Sequence, residues 1–309
     1  MLATITKRLL QGLIVIIAIT VITFIMLRLI PSDPSRTMAP NATEEQLTQL
    51  KEQMGIGDSI PKQFVKYVKN IFNGYLGYSY FQKADVVTVI ARSLPMTAIL
   101  LCFAIIIAVV FGLLLGNIAA IYSNTWADRV ISAFSVLFQS MPNYWVGIIM
   151  IQLISVKLKW LPSIGYKGIS YAILPSIVLS LPMIAVLVRN VRVSMMDSIS
   201  QNFVKAARAR GIPFWTRLVK YSFRNSLIPL LTLFGTQLGI LLGNAVVVEY
   251  VFGYPGIGMQ ILNAIVRRDY YLVQGLVALL SGFFIIVNML IDIGYIYLDP
   301  RIRKAQGGL

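Results

Sequence analysis

Long apolar runs separated by short polar ones organise this chain. Lys7 and Arg8 precede an apolar run over residues 9–27, about 28 Å long as a helix and enough to cross a bilayer. Its core is longer than that of a signal peptide, and Pro31-Ser32-Asp33-Pro34 is no small-residue cleavage site. A retained first span is therefore expected, with Arg28 snorkelling to the interface. Five more spans are predicted over residues 95–122, 130–156, 173–188, 229–248 and 272–297. The third is interrupted by Gln139, Pro142 and Asn143. In lipid, such a break needs a neighbouring helix or a wet cavity to satisfy the freed backbone groups. Two readings follow: a proline kink with interhelical hydrogen bonds, or a polar lining for a translocation path. Pro175 and Pro182 should make the fourth span irregular. Gly235, Gly239 and Gly243 form a small-residue stripe suited to close packing.

The polar stretches carry their own periodicity. Thr43 and Gln46 form a capping box for an amphipathic helix reaching Met54. A second such helix should start with Pro61 at its first position and present Phe64, Val65, Val68, Ile71 and Phe72 on one face. It would lie against the outer membrane surface or the spans. Residues 249–271 are too polar and glycine-rich to span, and read as a short outer insertion before the last helix, with Gly253, Gly256 and Gly258 serving turns. Cys102 reads as a small packed hydrophobe. Asp292 lies in the last span near its inner end, where solvation or pairing is its expected state.

Composition agrees with an all-α polytopic membrane protein: 57% of the 309 residues are hydrophobic, 13% are charged, and the mean hydropathy is +0.76. The net charge of +15 is distributed as an orientation signal rather than a nucleic-acid surface. With both termini inside, fourteen basic residues fall on inner segments and five on short outer loops, at Lys157, Lys159, Lys167, Arg267 and Arg268. There is no histidine, so Ser-His and Cys-His centres and imidazole zinc sites are excluded. Without a Gly-Lys dipeptide there is no P-loop, and ATP must be handled elsewhere. Gly77-Tyr78-Ser79 is assigned to a turn, because a serine without a base is no nucleophile. No catalytic residue, cofactor or metal site is expected.

One polar stretch stands out. From Arg189 to Arg224 the chain carries eight basic residues against the single acid Asp197, and such a loop stays on the cytoplasmic side. Ser200 is expected to cap a short helix through Arg210, with Gly211 in the left-handed position after it and Pro213 preventing its continuation. Ala206 and Ala207 would leave a smooth face near the turn, flanked by Lys205, Arg208 and Arg210, that fits a partner's groove.

These residues resemble the coupling signature of the permease subunits of bacterial ABC importers, in the branch handling peptides and nickel. That signature reads Glu-Ala-Ala, three residues, Gly; here it is Lys205, Ala206, Ala207 and Gly211, with a base in place of the acid. Phe223 and Arg224 stand where many importers have Leu-Pro. Also similar, and in the same order, are PSDP at 31–34, GYLGYS at 74–79, VFGYPGIG at 251–258 and LDPRIR at 298–303.

The resemblance covers essentially the whole chain. It implies a type I importer permease fold of six helices in the bacterial cytoplasmic membrane. Residues 1–31 would hold the tail and first span, 32–94 an extracytoplasmic segment, and 95–309 a five-helix core with its coupling loop at 189–228. Implied partners are a sister permease, two ATP-binding cassette subunits and an extracytoplasmic substrate-binding protein. The cargo would be a di- or oligopeptide or, as the alternative, a nickel chelate. From the residues alone, a self-sufficient secondary transporter or channel is the competing class. Against it, no array of titratable groups lies at mid-membrane.

Overall fold

The computed structural model describes residues 2–29, 41–54, 58–79 and 81–298, nearly all of them helical. PSDP and most of LDPRIR lie outside these residues, as does the side chain of Asp292. Among the described residues, five helices are long and apolar enough to cross a membrane: Leu9–Leu29, Val86–Ile121, Ser170–Ser200, Leu233–Val251 and Tyr270–Met289. Trp126–Ser140 and Asn143–Lys157, a pair bent by 106°, bring the number to six when taken together as one broken span. The chain divides into two compact units, Met1–Thr97 with Pro255–Ile286, and Ala98–Tyr254 with Val287–Leu309.

The first unit holds α1 (Leu2–Leu29), α2 (Glu44–Met54), α3 (Ile60–Phe72) and the start of α4 (Val86–Ile121), with α10 (Ile257–Val266) and most of α11 (Tyr270–Leu298). The capping box of α2 is present: Thr43 N–H donates to Gln46 Oε1 at 3.0 Å and Gln46 N–H to Thr43 Oγ1 at 3.3 Å. Helix α3 begins at Ile60, placing Pro61 second rather than first. Its inward face centres on buried Tyr67, while Val65 and Phe72 of the expected face are exposed. They lie roughly 100° around the helix from Ile71 and Phe64, too far to share the same contact. Phe24 of α1 meets the rings of Phe64 and Tyr67 at 5.1 and 5.5 Å, and Arg28 donates to Gln63 Oε1 at 2.7 Å.

Between α3 and α4 a two-stranded hairpin, β1 (Tyr78–Ser79) and β2 (Ala84–Asp85), pairs antiparallel with Tyr78 opposite Asp85. Gly77 precedes it with φ +102, and a Cβ there would lie 2.5 Å from the Tyr271 ring, so both conformation and space demand glycine. Ser79 is a strand residue of β1 rather than part of the expected turn, and its hydroxyl accepts from Gln82 N–H. It is also buried and donates to Asp269 Oδ2 at 2.5 Å. Helix α4 begins at Val86, nine residues before the expected start, with Pro95 inside it. Proline favours a first turn, but here Val86, Val89 and Ile90 are buried in one apolar cluster with Ile257, Ile261, Leu272 and Leu276. That burial carries the helix through residues too polar to be read as a span.

The second unit is organised around α7 (Ser170–Ser200), the most buried of the spans. Pro175 and Pro182 lie inside it without ending it. Helix α4 packs on it through Gly112 and Gly116, where a Cβ would lie 2.6 Å from the side chains of Leu187 and Val191. Glycine at these points sets the helix separation. The unit also holds α5 (Trp126–Ser140), α6 (Asn143–Met150) with π-helical continuation Ile151–Lys157, α8 (Asn202–Ala209) and α9 (Arg224–Val251). Cys102 is exposed on α4, not packed in a core, because it falls on the face away from buried Leu100, Leu101 and Ala104.

Asp269, 1% exposed, caps α11 through Leu272 N–H at 3.2 Å. Burial pushes its carboxyl above the ordinary range, against the hydrogen bonds from Ser79, Leu272 and Phe81 that favour the charge. Ser79→Ala removes one donor and should cost about 1–3 kcal/mol, read as a lower melting temperature of the detergent-purified protein. A raised folded pKa means that the favourable contribution is complete below the unfolded value, about pH 4, and is lost as pH rises through the folded value. The stability of the wild type relative to Asp269→Asn should therefore decline from about pH 4 upward. A pH-independent difference would show that the carboxyl is not shifted.

Candidate functional site

The basic stretch forms helix, turn, helix, though not by the expected cap. Helix α7 continues through Arg189, Arg192 and Asp197 to Ser200, whose hydroxyl donates back to Asp197 C=O at 2.8 Å. Gln201, extended at φ −67 and ψ 151, is the N-cap of α8 and makes no side-chain capping bond. Serine is a good cap in isolation. Here the long helix reaches it first, and Ser200 closes α7 instead.

The far end of α8 is terminated as the sequence predicts. Gly211 has φ +75, its N–H donates to Arg208 C=O at 3.0 Å, and Ile212 N–H donates to Ala207 C=O at 3.2 Å. This pair of bonds is a Schellman closure, and it satisfies carbonyls that the helix end would otherwise leave bare. Pro213 then starts a single helical turn, Phe214–Thr216, leading through a π-helical segment, Arg217–Phe223, into α9.

The six residues singled out at this turn separate by face. Lys205, Ala206, Arg208, Arg210 and Gly211 are exposed. Ala207 is 4% exposed and, with Val204, forms the buried side of α8, which packs on α7 and the π-helical segment. Ala206 and Ala207 therefore do not share one smooth face: a turn of about 100° per residue divides them. Ala207 seats the helix, and Ala206 is the small residue offered outward among basic ones.

Sequence reasoning missed the aromatics beside them. Phe203, Phe214 and Trp215 are exposed by 42, 48 and 67%, and the last two rings meet edge to face at 5.5 Å. Their signal was available: large aromatics inside a polar basic stretch, with no apolar periodicity to bury them. Exposed aromatic and arginine side chains around small residues have the chemistry of a protein interface.

Gln139, Pro142 and Asn143 are brought together at the break between α5 and α6. Pro142 is the N-cap of α6, extended at ψ 133, and its carbonyl accepts from Trp145 N–H at 3.0 Å and Val146 N–H at 3.2 Å. Gln139 and Pro142 are exposed and Asn143 is half-buried. Among the hydrogen bonds of the described residues, none joins Gln139 or Asn143 to another helix. They also do not line an apolar hollow of about 400 Å³ between α4, α5 and α7.

A further polar contact was not anticipated. Asp128, in the first turn of α5, is gripped by Arg192 of α7 through Nε to Oδ1 at 2.6 Å and Nη2 to Oδ2 at 2.7 Å. The sequence placed Asp128 in a short loop and Arg192 in a long one. Only the extension of α7 to Ser200 and the start of α5 at Trp126 bring both onto helices.

Comparisons with known proteins fit this architecture. The family described as "Binding-protein-dependent transport system inner membrane component" matches residues 108–304, and its N-terminal companion matches residues 1–101. The chain is 33% identical over 308 residues to a probable peptide ABC transporter permease protein from Sinorhizobium fredii, covering 97% of this chain and 98% of the relative. It is 34% identical over 304 residues to the glutathione transport system permease protein GsiC of Escherichia coli and of Shigella dysenteriae, covering 98% of this chain and 99% of each relative. With helical spans throughout, family matches over nearly its whole length and full-length relatives of this kind, the chain belongs to the inner-membrane permease component of binding-protein-dependent ABC importers.

Proposed function

We propose that this chain forms half of the translocation path of an ATP-driven importer of di- or oligopeptides, and that the exposed face of α8 receives a separate ATPase subunit. The observation that carries the reading is α8 itself. This short, rigidly terminated helix is seated by Val204 and Ala207 and offers Lys205, Ala206, Arg208 and Arg210 beside Phe203, Phe214 and Trp215. Basic residues near its C-terminus favour the negative end of the helix dipole. The inner-side excess of basic residues supports a cytoplasmic position for this loop.

In this reading residues 1–31 anchor the chain and 32–94 form the extracytoplasmic segment. Residues 95–309 form the permease core, with coupling at 189–228. A sister permease supplies the other half of the path, two ATP-binding cassette subunits drive it, and an external binding protein delivers cargo. Gln139, Pro142 and Asn143 line the path at the α5–α6 break, where extended backbone and a half-exposed amide can meet peptide amides through water. Peptide cargo rests on the names of two full-length relatives, one a peptide permease and one a permease for glutathione, itself a small peptide. Bare Ni²⁺ is disfavoured chemically, since the chain has no histidine and one cysteine.

Two measurements test this. At Gly211, with φ +75 and open space around its Cβ position, a β-branched residue meets only the backbone penalty, about 1–2 kcal/mol. Gly211→Val should leave the protein inserted and folded while ATPase association or transport-coupled hydrolysis fails; normal coupling would remove α8 as the docking element. For cargo, the assembled transporter in vesicles should take up labelled short peptides when ATP is supplied. Robust uptake of free Ni²⁺ without chelator would overturn the peptide reading, uptake of chelated Ni²⁺ alone would favour the nickel branch, and uptake without ATP would indicate a secondary carrier.

A further inference from the structure

The Asp128–Arg192 pair is more completely built than an incidental contact. Asp128 is 4% exposed, and both its carboxylate oxygens are occupied. Oδ1 accepts from Arg192 Nε at 2.6 Å and Ser132 Oγ at 3.3 Å; Oδ2 accepts from Arg192 Nη2 at 2.7 Å and Asn124 N–H at 2.8 Å. Asn124 has φ +63, a conformation uncommon outside glycine, and its N–H bond to the carboxylate holds the α4–α5 turn in place. One side chain of α7 thus grips the entry of α5 and, through Asp128, the turn before it.

A buried ion pair is weak evidence for stability, because desolvation offsets much of the attraction. A planar two-pronged contact does fix the orientation of the elements it joins. Among the described residues it is the one side-chain hydrogen bond linking α5 to α7. Farther along the same helices lies the apolar cavity of about 400 Å³, with Phe134 and Phe138 of α5 facing Ile177, Leu181 and Ile184 of α7 across it. Beyond the fastened end, the two helices and α4 wall this hollow with apolar side chains. Dispersion contacts around such a hollow resist relative movement far less than a directional fork.

Position along the chain gives this fastening its meaning. Arg192 lies nine residues before Gln201, the N-cap of α8, about 13 Å along α7. Asp128 lies twelve residues before Ser140, the last residue ahead of the break, about 18 Å along α5. We propose that Asp128 and Arg192 are positioning residues for coupling: the joint carries a displacement of α8 from α7 into α5, and so to the break bearing Gln139, Pro142 and Asn143. This rests on α8 being the ATPase docking element.

The test measures uptake and ATP hydrolysis together in the assembled transporter, so that the readout is cargo moved per ATP. Asp128→Asn and Arg192→Gln should each leave hydrolysis near wild type while uptake per ATP falls about tenfold, within the usual range of coupling between sites. The double variant should lose no more than either single, because two halves of one joint are not additive. Should either single fail to assemble, Arg192→Lys keeps the charge but not the fork, and a fall in its uptake per ATP is expected. Wild-type uptake per ATP in the pair variants, or losses that add, would overturn the joint. If Gly211→Val uncouples while the pair variants do not, the joint falls and the docking reading stands. If Gly211→Val and the pair variants all stay coupled, both fall.

Discussion

In a bilayer the backbone cannot turn to water for hydrogen bonds, so each crossing must satisfy its own N–H and C=O groups. That constraint accounts for the nearly unbroken helices and makes every departure from helix informative. In the first unit, Ile257 N–H donates to Thr97 Oγ1 at 2.8 Å where α10 begins, and the Asp269 carboxylate meets Leu272 N–H where α11 begins. In the second, Gly165 N–H donates to Phe252 C=O at 3.0 Å and Tyr254 N–H to Glu249 C=O at 2.8 Å. The α5–α6 break is different in kind. Proline has no N–H to lose there, the chain bends by 106°, and Gln139 and Pro142 stay exposed.

Charge and packing divide the work around α8. Small residues let the helices approach: Gly112 and Gly116 bring α4 onto α7, and Ala207 seats α8. A small apolar core of Ala120, Met195 and Leu218 then ties α4, α7 and the π-helical segment together beneath the basic surface, while Ser198 Oγ donates to Ser222 C=O at 3.1 Å. Among the described residues of this region, Arg192 has an acidic partner in Asp128. Arg189, Lys205, Arg208, Arg210, Lys220 and Arg224 are exposed, while Arg217 is half-buried.

Much of this was legible in the residues. Apolar run lengths gave the five long helices and the broken pair, because a bilayer imposes a minimum length on whatever crosses it. Thr43 with Gln46 announced its capping box, and Gly211 followed by Pro213 announced the turn after α8, because those motifs close through neighbours within a few residues. The break at Gln139, Pro142 and Asn143 was visible for the same reason.

What stayed hidden depended on residues far apart in the chain. Pro95 suggests a helix start only until Val86, Val89 and Ile90 are seen packed with Ile257 and Leu272, which extends α4 outward. Ser200 suggests a cap only until α7 is seen to run on to it. Asp128 and Arg192 are 64 positions apart, and Ser79 and Asp269 are 190 apart; no local pattern pairs them. The sequence by itself determined the class, the long apolar helices and the turn chemistry after α8, since each follows from solvent and short-range sterics. Tertiary structure alone decided which helices are continuous, which polar groups meet and which side of α8 is free, since those depend on what a neighbouring helix covers.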